Sequence, residues 1–150
     1  MAIPAGPPAG PGGNRNSKNL PYEQDGRAWS EGLFGCCSEP GTCVKSWFCP
    51  CVQFAQNKQR VEYLEDQGAF DPDHGGGFFS GDCFLHCLLQ GCLGGGWILQ
   101  IGERGTVRNR YRIKGGAFSD CCTIYWCNPC ALTQESRELE LEEASLGWKK

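Results

Sequence analysis

Twelve cysteines in a chain of 150 residues are the side chains most able to do chemistry here, and they fall into three groups. The first is Cys36-Cys37-x5-Cys43-x5-Cys49-Pro50-Cys51, the second Cys83-x3-Cys87-x4-Cys92, and the third Cys121-Cys122-x4-Cys127-Asn128-Pro129-Cys130. Groups one and three read as weak internal copies, since both open on a Cys pair and close on Pro-Cys before an apolar residue and a polar helical stretch. Such a duplication suggests two related corners facing one another. Proline is favoured in the first turn of a helix, so Pro50 and Pro129 mark helix starts. That sets Cys51 and Cys130 beside free backbone N–H groups at the positive dipole end, where a thiol's pKa falls. Thiolates bind soft or borderline metals, and sulfurs at two helix starts suit a tetrahedral site for Zn, or for Cd as its softer analogue. Cys127-x2-Cys130 has the spacing to direct two sulfurs at one ion. In Cys49-Pro50-Cys51 a single intervening residue turns the second sulfur by about 200° around a helix, so that pair requires a turn.

Other uses of the same residues stay open. Six disulfides would also consume twelve Cys. Cys83, Cys87 and Cys92 lie on an apolar segment and suit simple packing, while any of Cys36, Cys37, Cys121 and Cys122 could carry an S-acyl chain. His86 shares a helical face with Cys83 and offers either a nitrogen ligand or an ordinary hydrogen bond. His74, with Asp71 and Asp73, reads as solvated or as a weak metal-capturing set. Spacing reveals no Cys–His–acid arrangement, and the Gly triplets lack the Lys-Ser/Thr of a phosphate loop, so a non-enzymatic protein is expected.

The elements that must position these sulfurs are short. At 16.5 kDa the chain has room for one core, and Gly and Pro together make up about a fifth of it, which excludes a large Rossmann or barrel enzyme. Residues 1–27 are rich in Pro and Gly and read as a disordered arm without a secretory signal. No Asn-x-Ser/Thr acceptor occurs either, so the cysteines are expected in a reducing compartment. After a Trp-, Gly- and Cys-rich stretch, the run from Val52 to Gly68 is helical, with Phe54, Val61 and Leu64 on one face and Gly68 as the C′ residue. A Gly-rich loop leads to Cys83–Gly102, twenty residues without formal charge. That is the length of a membrane span, but Gly94-Gly95-Gly96 could break it into two helices. Spanning, surface or hairpin attachment, and a buried soluble helix are all compatible with it.

Five cations follow between Glu103 and Lys114 against one acid, and five acids against one Arg between Glu135 and Glu143, under a net charge of −3. The basic block reads as a solvated face or a site for anionic lipid headgroups, and the net charge argues against nucleic acid. Ser119 or Asp120 is a candidate N-cap for the last third, whose acidic end reads as a solvated helix or frayed tail. Trp47–Phe54 and Cys121–Trp126 carry enough aromatic and β-branched residues for a short strand.

Taken together, Trp29, Cys36, Cys43, the Cys49-Pro50-Cys51-Val52-x-Phe54 corner and Arg108-x-Arg110-Tyr111-x-Ile113-x-Gly115 resemble the placenta-specific-eight family. So do Asp120-Cys121 and the most specific motif, Cys127-Asn128-Pro129-Cys130-Ala131-Leu132-x-Gln134-Glu135-x-Arg137-Glu138-Leu139. That family includes onzin, the plant cadmium-resistance proteins and the cell-number regulators. The resemblance implies a small membrane-associated cysteine-rich protein without accepted enzymatic activity, tied in plants to cadmium and zinc tolerance or efflux and to cell number. It carries metal-ligand roles onto Cys36, Cys43, Cys49, Cys51, Cys121, Cys127 and Cys130. Thr133 stands where the plant motif commonly has another Cys, and Pro40 near a second such position, leaving thiols for one or two four-sulfur sites.

The expected fold is mainly α, a small compact cysteine-rich helical domain over 28–139 with little β, followed by an acidic tail over 140–150. The expected function is thiolate binding of Zn or Cd at a membrane, with the plasma membrane as the expected location and the cysteines toward the cytoplasm. The membrane contacts would be Cys83–Gly102 and Arg104–Lys114, in a chain able to self-associate. The alternative is a regulatory adaptor with structural Zn or S-acylated cysteines, acting through protein partners.

Overall fold

The computed structural model describes residues 20–21, 26–33, 35, 40–73 and 81–148. The N-terminal arm through 19, Cys36, Cys37 and His74 lie outside the described residues. Among the described residues six helices follow in order: α1 (Pro40–Phe48), α2 (Pro50–Gln67), α3 (Gly81–Leu93), α4 (Gly96–Tyr111), α5 (Ala117–Trp126) and α6 (Asn128–Ser145). The mainly helical expectation therefore holds. Among the described residues the β structure is a single parallel bridge between Arg27 and Ile113. The two stretches with strand-forming composition are helical. The helical period lets Val52 and Ile124 turn inward while Trp47, Phe48, Tyr125 and Trp126 remain exposed.

Local signals set most helix ends. Pro50 occupies the first turn of α2, where its missing N–H costs nothing, and Gly68 closes the helix in the left-handed region at φ 65°, its N–H bonded to the Leu64 carbonyl at 3.1 Å. Phe54, Val61 and Leu64 are all buried, as their spacing requires. The uncharged segment breaks where its glycines fall. Gly94, at φ 63°, ends α3 by donating to the Gln90 carbonyl at 3.1 Å, and α4 begins at Gly96. No helix among the described residues is long and apolar enough to cross a membrane. The start of α5 departs from expectation: its N-cap is Gly116, and Asp120 sits buried in the first turn, turned toward arginines of α4.

The main apolar cluster joins Val61 and Leu64 of α2, Val107 and Tyr111 of α4, Ile113, and Leu139 of α6. Around it arginines of the basic block and two from elsewhere in the chain pair with acids of α5 and of the acidic run. Arg110 holds Glu142 through two parallel bonds, Nε to Oε1 at 2.9 Å and Nη2 to Oε2 at 2.6 Å. Arg104 meets Asp120 at 3.2 Å and Glu135 at 3.7 Å, Arg108 meets Asp120 at 2.8 Å, Arg27 pairs with Glu138, and Arg60 with Glu143. The reading of the acidic run as solvated is thus corrected: Glu138, Glu142 and Glu143 are buried. Arg104 and Arg110 likewise spend their charge inside the fold rather than on a solvated face. The reason is complementarity, since a buried carboxylate is tolerated only where a guanidinium and further hydrogen bonds replace water.

Candidate thiolate site

The packing of α2 on α3 brings three sulfurs together. Cys51 stands in the first turn of α2, directly after Pro50. Cys83 and Cys87 stand one turn apart near the start of α3, so the i, i+4 spacing puts both on one side of that helix, Cys83 beneath α2 and Cys87 at the exposed margin. The three Sγ atoms lie within 4.8 Å of one another. Two thiolates on one zinc at about 2.3 Å, in tetrahedral geometry, are about 3.8 Å apart, so closure onto an ion needs only a small movement. Val52, Ala55 and Cys83 form a small apolar cluster that Cys49 and Cys51 flank, a floor that keeps water from one side.

Burial grades across the triad. Cys83 is buried, Cys51 half-buried and Cys87 exposed, which leaves an open side for a fourth ligand and for entry of an ion. Burial pushes the Cys51 thiol up from its ordinary value, against the helix-start lowering expected from sequence, because loss of hydration outweighs the help it gets from Cys87 and the backbone N–H of Val52. Cys87 is also raised, chiefly by its hydrogen bond with Cys51 and secondarily by burial. The metal-free cluster therefore holds protons that an incoming cation must displace.

The remaining candidates lie elsewhere. Cys43 is half-buried in α1, Cys49 sits in the α1–α2 turn beside the triad's apolar floor, and Cys121 is half-buried in α5. Cys127 and Cys130 are joined in a disulfide at the start of α6. The two Pro-Cys corners do start helices, and α2 packs on α6, with Asn57 donating to the Leu132 carbonyl at 3.1 Å. Among the described residues, however, the one group of three cysteines that converges is Cys51, Cys83 and Cys87. The Cys83-x3-Cys87 spacing carried the signal for the second and third members; what hid it was their place on an apolar segment, where packing explains a cysteine equally well.

His86 is not part of the triad. Its ring lies 4.9 Å from that of Phe54, and its Nε2 accepts from Gln100 Nε2 at 2.7 Å across the α3–α4 interface. Burial lowers its pKa, which favours the neutral ring that this bond requires. Asp71 accepts from the Asp73 backbone N–H at 2.9 Å and from Gln59 at 2.8 Å, closing the loop after α2.

The PLAC8 family model matches residues 29–138, which includes the triad, the Arg104 and Arg108 pairs with Asp120 and the Cys127–Cys130 corner. The chain belongs to the PLAC8 family. It is 33% identical over 112 residues to cell number regulator 11 of Zea mays, covering 75% of this chain and 63% of that protein. It is 33% identical over 123 residues to plant cadmium resistance protein 9 of Arabidopsis thaliana, covering 80% of this chain and 75% of the relative. Plant cadmium resistance protein 2 of Arabidopsis thaliana is 33% identical over 122 residues, covering 80% and 73%. The chain spans 63% of the length of cell number regulator 11 and of cell number regulator 9 of Zea mays. No solved structure matches. Family members carry the names of regulators and resistance proteins rather than of enzymes.

Proposed function

We propose that this PLAC8 chain is a non-enzymatic, membrane-associated thiolate protein that binds Zn or Cd and acts in heavy-metal tolerance or efflux and in cell-number control. The observation that carries the reading is the convergence of Cys51, Cys83 and Cys87 on one partly open position. Three sulfurs and no nitrogen or carboxylate favour a soft cation, and Cd gains more than Zn from such a set. The names of the relatives, cadmium resistance on one side and cell number regulation on the other, agree with this chemistry.

Membrane association at the cytoplasmic face, with the plasma membrane as the expected site, draws support from the surface. Trp47, Phe48, Phe84, Leu93, Ile98 and Trp126 are large apolar side chains more than half exposed on α1, α3, α4 and α5. Aromatic residues with one apolar side and one wet side suit the headgroup boundary, and attachment there needs no spanning helix.

The test is a Cd titration of the reduced full chain, followed by thiolate-to-metal charge-transfer absorption. One ion per chain is expected, with Cys83→Ser weakening binding by more than the about 10- to 100-fold that loss of an outer-sphere partner costs. Binding unchanged in Cys51→Ser, Cys83→Ser and Cys87→Ser would reject the site. Flotation with liposomes tests the second half: recovery of the protein only in the lipid-free fraction would reject membrane association.

A further inference from the structure

The Cys127-Asn128-Pro129-Cys130 corner carries features that the metal reading does not use. Cys127 is at once the residue that ends α5 and the N-cap of α6, with its N–H bonded to the Thr123 carbonyl and its own carbonyl accepting from Ala131, both at 3.0 Å. The Cys127 side chain makes no capping hydrogen bond to the first turn of α6. A sulfur at the N-cap occupies the place where a Ser or Asp oxygen would accept from that first turn, and as a thiolate it would be stabilised there. The two sulfurs differ in access: Cys127 is half-exposed, whereas Cys130 is 6% exposed beneath it. Their disulfide closes a loop with only two residues between them.

Beside this pair opens a cavity of about 320 Å³ lined by Gln90, Trp97, Cys121, Ile124, Tyr125 and Asn128. Asn128 lies between the two cysteines in sequence, and the residues immediately before them, Tyr125 and Trp126, are each 83% exposed. An accessible sulfur with a recessed partner is the arrangement that directs thiol–disulfide exchange to one of the two, and the exposed aromatics and the cavity that Asn128 lines give an incoming peptide a surface to rest on.

We propose that Cys127 and Cys130 form a reversible thiol–disulfide exchange site for a peptide-borne disulfide. In the reduced chain the Cys127 thiolate attacks one sulfur of the incoming disulfide, forming a mixed disulfide and releasing the first thiol. The Cys130 thiolate then attacks Cys127 Sγ, which closes the internal disulfide and releases the second thiol. Two protein thiols are oxidised by two electrons, one external disulfide is reduced to two thiols, and the two protons come from the cysteines. Excess external thiol runs the same steps backward. This site is separate from the Cys51–Cys83–Cys87 triad, and each stands or falls without the other.

The experiment equilibrates the full chain over a series of ratios of reduced to oxidised glutathione, quenches with an alkylating reagent, and maps the state of each cysteine by peptide mass. The Cys127–Cys130 pair is expected to open and close together as a two-electron couple within that series. Cys130→Ser should accumulate a glutathione adduct on Cys127 at least about tenfold faster than Cys127→Ser accumulates one on Cys130, because the latter sulfur is recessed. A pair that stays reduced in the most oxidising buffer has no couple, and a pair that stays closed in excess dithiol while the chain is folded is an inert crosslink; either overturns the proposal. So does an adduct rate on Cys127 no greater than that on the exposed Cys122 of α5. The wild-type titration decides the matter if Cys130→Ser does not fold. Cys83→Ser, which removes a triad sulfur, should leave the glutathione midpoint unchanged.

Discussion

Replacing Glu142 by Ala tests whether the acidic run is an internal partner of the basic block or a solvated tail. The Glu142 carboxylate is fully buried and accepts two parallel bonds from Arg110, whose side chain is 3% exposed. Removing the carboxylate takes from the buried Arg110 guanidinium of α4 the charge partner that α6 gives it. Breaking one side of a buried pair costs about 3–5 kcal/mol. That is a large part of the about 5–15 kcal/mol that holds a domain together. With a urea slope of about 2 kcal/mol/M, the unfolding midpoint should fall by about 2 M. The double variant Arg110→Met/Glu142→Leu removes both charges and fills the space, and should recover most of that loss. Urea unfolding followed by far-UV circular dichroism on wild type, single and double variants is the assay. A Glu142→Ala midpoint within about 0.5 M of wild type, or a double variant no better than the single, would refute the argument that burial makes this pair interdependent.

Stability should also fall as pH rises from about 5 to about 8. Burial, as the largest cause, raises Glu103 to about 7 and Glu135 to about 8, so the folded chain retains protons that the unfolded chain releases above about 4.5. This contribution is complete below the unfolded value and is lost through the folded ones; Glu103→Gln should flatten the profile, and a slope unchanged in that variant would exclude Glu103 as its source. Metal affinity should rise with pH in the opposite sense, because the raised Cys51 and Cys87 thiols must lose protons to bind; Cd titrations at two pH values with proton release measured by calorimetry would show it. Gly96→Ala should destabilise by about 1 kcal/mol, since its Cβ would stand 3.0 Å from Gln90 Cβ and 3.1 Å from His86 Cε1 where α4 approaches α3; an unchanged melting temperature would contradict that contact.

Much of the helical framework is legible in local signals along the chain. Pro50 and Gly68 bound α2, the Phe54–Val61–Leu64 spacing names its inner face, and the Gly94–Gly96 run divides α3 from α4. Each rests on a property of one residue or one turn: a missing N–H, a tolerated positive φ, a 3.6-residue period. The same local reasoning fails at α5, where an acid beside a helix start reads as a cap. Asp120 instead answers Arg104 and Arg108 from inside the first turn.

By itself, the amino-acid sequence determined that this chain is a cysteine-rich helical member of its family and that Pro-Cys corners begin two of its helices. Tertiary structure alone decided which sulfurs meet. Cys51 finds Cys83 and Cys87 across the α2–α3 interface rather than Cys130, which closes onto Cys127. Tertiary structure alone also decided that acids of the C-terminal run meet Arg110 of the basic block, Arg60 of α2 and Arg27 in the interior. Both outcomes turn on pairs of residues distant in sequence, whose interaction depends on distance and dielectric that no single stretch of chain specifies.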